Sequence, residues 1–181
     1  ANHLNDLTKD KPALVLEIAG RWLDPRANPP PTRRSLITHA LRTLTRHGDR
    51  DALTVMGFTG GEAVEVKGYV NPLRVHIGQS VEIVIEVKNP TKAVQRAVVD
   101  FVVSFVRSKG GRHPKVFKGK TLELQPGLTE SVRKRVLLAN LTTRAHYPGT
   151  HVVEVSVNGR KRQLGSFELL ATGAGGDITD E

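Results

Sequence analysis

Residues 33–49 read RRSLITHALRTLTRHGD, and this stretch decides how the rest of the chain is interpreted. Its apolar residues recur at helical spacing and comprise Leu36, Ile37, Ala40, Leu41 and Leu44. A period of 3.6 residues gathers them on one side, which predicts an amphipathic helix with a broad buried stripe. Because prolines occupy positions 29–31 and a glycine follows the last turn, the helix is predicted to begin with Thr32 as its N-cap and to end at Gly48.

The opposite side of this predicted helix is basic. A straight row at helical spacing contains Ser35, His39, Arg42 and Arg46. No acidic side chain interrupts the row, so it presents two guanidinium groups and an imidazole together. Such a row suits the phosphate backbone of a nucleic acid, because lysine and arginine displace the counterions that surround it.

A second helix is predicted over residues 12–23, and its wide apolar face consists of Val15, Leu16, Ile18, Ala19, Trp22 and Leu23. We expect Trp22, the single tryptophan, in the core; stacking on a nucleic-acid base is the alternative. Residues 2–7 resemble a helix end, and residues 50–56 predict a further short helix. The segment DPRANPPP at 24–31 cannot be helical and forms a stiff connection between two helices. Antiparallel helices joined in this way are typical of an α-solenoid repeat.

The period of the sequence changes to two after GFTGG at residues 57–61, which indicates strands. The predicted strands cover residues 62–70, 81–87, 97–106, 116–124, 129–138, 151–157 and 162–170. Asn158-Gly159 is a strong hairpin signal, and Tyr147 is predicted to be structural, as in a tyrosine corner. The sequence therefore predicts an α + all-β, two-domain chain, with helical residues 1–56, a glycine-rich joint and an Ig-like antiparallel β-sandwich over residues 62–170.

Composition and charge restrict the function. The 181 residues have a formal net charge of +9, which favours a polyanionic partner, and no cysteine, which excludes disulfides and thiolate metal sites. No apolar run approaches the roughly 20 residues of a membrane helix, so we expect a cytoplasmic protein. The chain opens without methionine in a predicted helix, which predicts a fragment of a longer protein. Residues 171–181 contain three acids and no base, and we expect a disordered acidic tail.

A second basic concentration lies in the β part, where residues 107–120 read RSKGGRHPKVFKGK without an acid. The glycine pair predicts that the first half is a flexible loop that follows a DNA groove, whereas an idle, solvated loop is the alternative. The residues predicted to contact DNA are Arg107, Lys109, Arg112, His113 and Lys115. The cationic runs at 133–135 and 160–162 are weaker candidates, because charged strand edges also prevent edge-to-edge pairing.

The order of three phrases carries a family resemblance. ANHLNDLTKDKPALVLE, RRSLITHALRTLTRHGDRDAL and MGF resemble the C-terminal HEAT-like repeats of bacterial DNA alkylation repair glycosylases of the AlkC and AlkD type. The β part resembles the Ig-like domain of AlkC-type members. The resemblance implies a concave basic surface against DNA, and the residues of the helical part predicted to contact DNA are Asn2, Asn5, Arg34, His39, Arg42 and Arg46. Thr38 stands where many relatives have an arginine, which argues against a direct phosphate contact there.

The resemblance also implies the chemistry of the whole enzyme: hydrolysis of the N-glycosidic bond of alkylpurines in duplex DNA, without a metal or organic cofactor. We expect a monomer. Base excision requires a carboxylate near the sugar, and among the acids of this chain Asp6 lies in a resembling inner helix. Asp6 is therefore the catalytic candidate, with a capping or charge-pairing role as the alternative. The main catalytic carboxylate is expected upstream of this chain, which alone is predicted to bind and position duplex DNA rather than to react.

Two other functions are compatible with the sequence. One is an Ig-like protein–protein interaction module with a helical adaptor and an acidic partner, which would show an exposed apolar patch. The other is a transcription-factor-like reader, which would need a helix-turn-helix; the connection at residues 24–31 is too long and too stiff for that turn.

Overall fold

The computed structural model describes residues 2–58, 63–140 and 145–171. Within these ranges the helices come first: α1 (Asn2–Asp10), α2 (Pro12–Trp22), a 3-10 turn (Pro25–Ala27), α3 (Pro31–Ala40), α4 (Arg42–Arg46) and α5 (Arg50–Val55). None of the described helices is both long and apolar enough to cross a membrane. Most of the predicted glycine-rich joint and nearly all of the predicted acidic tail lie outside the described residues.

The long helix predicted from residues 33–49 is broken into α3 and α4. Leu41 interrupts it with φ −92° and ψ 5°, although its side chain is completely buried. The N-cap is Pro30 rather than Thr32, and no side-chain oxygen caps α3. The prediction that the helical stretch ends at Gly48 is confirmed, since Gly48 lies just after α4 with φ +74°, a conformation that glycine adopts without strain.

The helical core is formed mainly by one face each of α2, α3 and α5 and by the residues that follow these helices, with Leu7 of α1 and Leu44 of α4 packed against it. Its buried members are Val15, Ala19, Leu23, Ile37, Leu41, Ala52 and Met56. The prediction for Trp22 is wrong, because this side chain is 42% exposed. Leu36 is likewise 36% exposed rather than part of the buried stripe. In α2 the buried residues follow the spacing of Val15 and Ala19, whereas Leu16 and Ile18 of the wide apolar face are only half-buried and Trp22 is exposed.

The strands form two sheets. They are β1 (Glu65–Asn71), β2 (Arg74–His76), β3 (Ser80–Lys88), β4 (Gln95–Val106), β5 (Arg112–Leu124), β6 (Thr129–Leu137), β7 (Gly149–Val157) and β8 (Arg160–Leu170). The smaller sheet has the order β1-β3-β6 and the larger has the order β2-β8-β7-β4-β5. All pairings are antiparallel except that of β2 with β8, and β2 was not predicted from the sequence.

A single apolar core lies between the two sheets. It receives alternate residues of β3, including Ile83 and Ile85, and alternate residues of the central strand β4, including Phe101 and Val103. Alternation places every second side chain on the same face of a strand, so each sheet covers one side of this core.

The turn between β7 and β8 is the predicted Asn158-Gly159 hairpin. Both residues have positive φ, +49° and +77°, as a type I′ turn requires. The Asn158 side chain is buried, accepts a hydrogen bond from the Val98 amide at 2.7 Å and donates one to the Arg96 carbonyl at 3.0 Å. The turn is thereby fixed to β4, where the register with β5 shifts.

The helices pack against this end of the larger sheet. A Cβ added to Gly159 would lie 2.2 Å from the Gly48 carbonyl oxygen, so two backbones touch here. Arg96 donates a hydrogen bond to the Met56 carbonyl at 3.3 Å, and its guanidinium lies 4.4 Å from the centre of the Phe58 ring. The helical and β parts are therefore in direct contact through backbone and side chains.

Candidate nucleic-acid interface

The basic row of the helical part is assembled as predicted. A shallow depression of about 630 Å³ is lined by Ser35, Thr38, His39, Arg42 and Arg46. The side chains come from α3 and α4, and the row continues across the break between them. Thr38 joins the lining, and its hydroxyl donates to the Arg34 carbonyl at 2.9 Å. The Arg34 side chain itself is exposed and does not line the depression.

Asn2 connects the start of α1 to this row. Its Oδ1 lies 2.9 Å from His39 Nε2 and accepts a hydrogen bond from Arg42 Nη1 at 3.3 Å. The Arg42 guanidinium also contacts the His39 imidazole. These contacts hold the two basic side chains side by side at the surface, and Asn2 is exposed beside them.

Asn5, predicted to contact DNA, is instead part of the interior. It is 4% exposed, and its Oδ1 accepts hydrogen bonds from the Thr43 amide at 3.2 Å and the Thr43 hydroxyl at 2.9 Å. Its carbonyl accepts from the Thr8 hydroxyl at 2.6 Å. A buried amide needs such partners, and here it joins α1 to α4. Asn5 is therefore removed from the set of residues available to a phosphate.

Asp6, the catalytic candidate, lies on the exposed surface of α1. Its carboxylate is 3.7 Å from the Lys9 ammonium one helical turn away, and both side chains are mostly exposed. The carboxylate does not line the depression of the basic row. This placement favours the charge-pairing role over a reacting group in this part of the protein.

The second basic surface is a hairpin between β4 and β5, which we call the basic hairpin (residues 107–115). The predicted flexible loop is a closed turn, because the Arg107 amide donates to the Gly111 carbonyl and the Gly110 amide to the Arg107 carbonyl, both at 3.1 Å. Gly110 and Gly111 have φ +81° and +75°, a backbone conformation that residues with a side chain rarely adopt. Strand β5 then starts at Arg112, earlier than predicted.

The basic hairpin presents cations on both faces of β5. Arg107, Lys109, Arg112 and His113 are exposed and Lys115 is half-buried. Arg112 pairs with Val106 in the register and His113 with Phe105, so successive basic side chains point to opposite sides. Arg107 donates to His113 Nδ1 at 3.1 Å, and the Lys115 ammonium lies 5.2 Å from the centre of the Phe117 ring.

A pocket of about 440 Å³ lies beside the basic hairpin, and we call it the hairpin pocket. Its apolar part is formed by Phe105, Val106 and Tyr147, and its rim by basic residues of the hairpin. The tyrosine is 37% exposed, and its carbonyl rather than its hydroxyl makes the contact with His151. Tyr147 is therefore a pocket residue here.

His151 supports this pocket from inside the sheet. Its Nδ1 accepts a hydrogen bond from the Val106 amide at 3.3 Å, and its Nε2 lies 3.1 Å from the Tyr147 carbonyl. The ring stacks on Phe167 with 5.1 Å between ring centres. Burial lowers the pKa of His151 from its usual value; the hydrogen bond to Tyr147 opposes this and nearby Arg112 adds to it.

Lys118 lies between the two basic surfaces and was predicted only as one cation of the run at residues 107–120. It pairs with Asp100 across the sheet and also reaches the Arg46 carbonyl of the helical part. A buried acid in the apolar stretch AVVDFVVSFV was the signal for such a partner. Lys118 follows Arg112 by six positions in β5, so the contact with Arg46 at the end of the basic row lies about 20 Å along the strand from Arg112.

The weaker cationic runs have local partners. Arg135 faces Glu82 across the smaller sheet, and Arg162 donates to the Val64 carbonyl at 3.2 Å. These positions lie within the sheets, and the alternative interpretation of the two runs, charged strand edges that prevent edge-to-edge pairing, stays open.

The described chain consists of helices that carry a basic row and a two-sheet domain that carries a basic hairpin. The helices pack on the two-sheet domain. The family model described as "Uncharacterised protein YhaZ, C-terminal Ig-like domain" matches residues 65–171. That match covers more than half of the chain, so the chain belongs to this family.

Two relatives extend the similarity into the helices. The YhaZ protein of Bacillus subtilis (strain 168) is 31% identical over 170 residues, which cover 93% of this chain and 46% of YhaZ. The Pseudomonas fluorescens alkylpurine DNA glycosylase AlkC, bound to DNA containing an abasic site analog, is 38% identical with a TM-score of 0.77, over 94% of this chain and 46% of AlkC. The chain therefore spans about half the length of these relatives.

A further match concerns the fold alone. A β-glucosidase of Listeria innocua in complex with gluconolactone is 17% identical with a TM-score of 0.51, over 60% of this chain and 16% of the enzyme.

Proposed function

We propose that this chain binds and positions duplex DNA, through contacts to the phosphate backbone, as part of an alkylpurine DNA glycosylase. The observation that carries the proposal is the pair of basic surfaces, the helical row and the basic hairpin, whose lining residues include no carboxylate. Phosphate contacts supply affinity and orientation without reading sequence, which is what a repair enzyme needs at a lesion in any context.

The spacing of the two surfaces fits a single duplex. The end of the basic row and Arg112 lie about 20 Å apart along β5, and one DNA strand advances about 3.4 Å per phosphate, so about six phosphates fit between them. Lys118 fixes this spacing because it contacts both parts. The DNA-bound state of the AlkC relative supports the same partner for this chain.

The whole protein would hydrolyse the N-glycosidic bond of alkylpurines in alkylated duplex DNA, as a monomer and without a cofactor. In this proposal α1 to α5 are HEAT-like repeats, and the main catalytic carboxylate lies outside this chain. Asp6 stays a low-ranking candidate because its carboxylate is exposed beside Lys9. Asp6→Asn in the full-length protein should leave excision of an alkylpurine nearly unchanged.

The test is binding of this chain to a fluorescent duplex over a salt series. A hairpin variant, R107A/K109A/R112A, should lose close to three units from the slope of log K against log salt, at about 0.9 per phosphate contact. A row variant, R42A/R46A, should lose up to about two units. The matched control, K67A/K88A/K92A, removes three exposed lysines elsewhere and should lose less than about one unit.

The result can contradict the proposal in two ways. Equal slopes for the hairpin variant and the control would mean that general charge, and not the basic hairpin, attracts DNA. A wild-type chain that does not bind duplex at about 50 mM salt, where phosphate contacts are strong, would favour the protein-interaction module with an acidic partner.

A further inference from the structure

The chain leaves the larger sheet next to the basic hairpin. Leu169 of β8 pairs with Gly149 of β7, and the Cβ position of Gly149 is 3.4 Å from the Val106 side chain of β4. Ala171, the last described residue, is fixed by a 2.7 Å contact of its carbonyl with His76 Nδ1. The exit of β8 and the turn of the basic hairpin therefore lie at the same end of one sheet, opposite the end that contacts the helices.

The sequence that follows is complementary to the hairpin. Residues 172–181 read TGAGGDITDE and lie outside the described part of the chain. They contain Asp177, Asp180 and Glu181, no basic residue and one large apolar residue, Ile178. Three negative charges beside one apolar side chain match a pocket with an apolar floor and a cationic rim.

The distance is within reach. Neighbouring strands are about 4.8 Å apart, so the hairpin strands β4 and β5 lie about 10 to 15 Å from β8 in the order β8-β7-β4-β5. Asp177 follows Ala171 by six positions, and this stretch spans up to about 20 Å when extended. The first acidic residue can therefore reach Arg107 or Arg112 without rearrangement of the sheet.

The cations of the hairpin have capacity for such a partner. The ion pairs of the described residues do not include Arg107, Lys109 or Arg112. The three side chains are exposed and lie on one hairpin, so a carboxylate placed there is attracted by several charges at once. The floor of the hairpin pocket at Phe105, Val106 and Tyr147 offers an apolar surface for Ile178.

We propose that the acidic segment 177–181 of this chain binds the basic hairpin, with Ile178 in the hairpin pocket, and competes with DNA for it. The contact itself does not depend on the proposed function; the competition rests on it. Held by its own chain, the segment acts at a high effective concentration and would weaken non-specific binding more than binding to a site that makes additional contacts.

The contact is tested without DNA. Backbone amide NMR spectra of the full chain are compared with those of D177N/D180N/E181Q. The amides of Arg107, Lys109 and Gly110 should shift, and the difference should disappear at about 1 M salt, where charges are screened over about 3 Å. The control E82Q/E86Q/E130Q removes the same charge from exposed positions of the smaller sheet and should leave these amides unchanged. Unchanged hairpin amides in D177N/D180N/E181Q would overturn the proposal.

The competition is tested with duplex DNA. At about 50 mM salt, D177N/D180N/E181Q should bind DNA three- to tenfold more tightly than the wild type. The control E82Q/E86Q/E130Q should gain clearly less affinity, because its acidic residues do not lie at the basic hairpin and so do not compete with DNA for it. Shifted hairpin amides with equal gains for both variants would overturn the competition. If no variant binds DNA, the proposed function fails, and the NMR comparison still decides whether the segment contacts the hairpin.

Discussion

The Lys118 ammonium lies 2.8 Å from the Arg46 carbonyl oxygen of α4 and 2.9 Å from Asp100 Oδ2 of β4. One side chain thus links the C-terminal turn of the basic row to the strand that leads to the basic hairpin. The Asp100 side chain is only 8% exposed, so Lys118 is the partner that satisfies it in the sheet, and a cation at the end of a helix also interacts favourably with the last carbonyls.

Lys118→Met should lower the free energy of unfolding by about 1–3 kcal/mol, because Asp100 would keep a buried charge without its cation. The lower part of this range is expected, since Lys118 is itself half exposed to solvent. Urea unfolding measures the effect. The control Lys120→Met removes an exposed lysine two residues away and should cost less than about 0.5 kcal/mol. Equal losses would show that Lys118 does not hold the two parts together.

Gly159→Ala should destabilise the contact between the helical and β parts. The new methyl group would lie 2.2 Å from the Gly48 carbonyl oxygen, and φ at this position is +77°. The second effect alone costs about 1–2 kcal/mol. Gly127→Ala is the matched control, because φ is +74° there and nothing lies within 4 Å of the added carbon. A loss for Gly159→Ala that exceeds the loss for Gly127→Ala by about 1 kcal/mol or more identifies the backbone contact; equal losses would exclude it.

Much of the fold could be predicted because the patterns there are local. In strand β3 every second residue, Val81, Ile83, Ile85 and Val87, faces the core. The turn between β7 and β8 follows from the conformational preference of Asn158-Gly159 itself. Strand β2 has three residues and pairs in parallel with β8, so no period or turn signal marks it. Trp22 has the spacing of a core residue, but spacing does not say which half of a wide apolar face a neighbour covers.

The candidate site was predictable in its charges and in the alignment of the basic row, but not in the long-range contacts of its side chains. The basic row and the basic hairpin follow from residue types at regular spacing. The roles of Asn5 and Lys118 depend on partners about 40 and 70 residues away, at Thr43 and Arg46, and one sequence contains no record of such contacts. An asparagine in a polar helix looks like a surface residue until its neighbour is known.

Asn5→Ala should therefore reduce stability without changing DNA binding. The Thr43 amide and hydroxyl would lose their shared acceptor in a partly buried place, at a cost of about 1–2 kcal/mol. Asn2→Ala is the matched control on the same helix; its amide is exposed beside His39 and Arg42, so it should cost less than about 0.5 kcal/mol. Urea unfolding and the DNA salt slope are measured for both. A reduced slope for folded Asn5→Ala would return Asn5 to the DNA-contacting residues.

The stability of the chain should fall as the pH drops below about 6.5 because of His151. Burial lowers the pKa of this imidazole in the folded state, so the unfolded chain binds the proton more readily. The contribution is complete above the unfolded value of 6.5 and is lost as the pH falls from there toward the lower folded pKa, with a slope of up to about 1.4 kcal/mol per pH unit. Below the folded pKa the loss is constant.

His151→Gln isolates this effect, because a glutamine amide can accept from the Val106 amide and donate to the Tyr147 carbonyl but does not titrate. Urea unfolding between pH 5 and 8 should show a flatter profile for this variant than for the wild type. His47→Gln, which removes an exposed histidine, should keep the wild-type profile. Since Val106 directly precedes the basic hairpin, protonation of His151 should also weaken the attachment of the hairpin to β7. If His151→Gln and the wild type show identical pH profiles of stability, His151 is not the source of the pH dependence, and the expected weakening of the hairpin loses its basis.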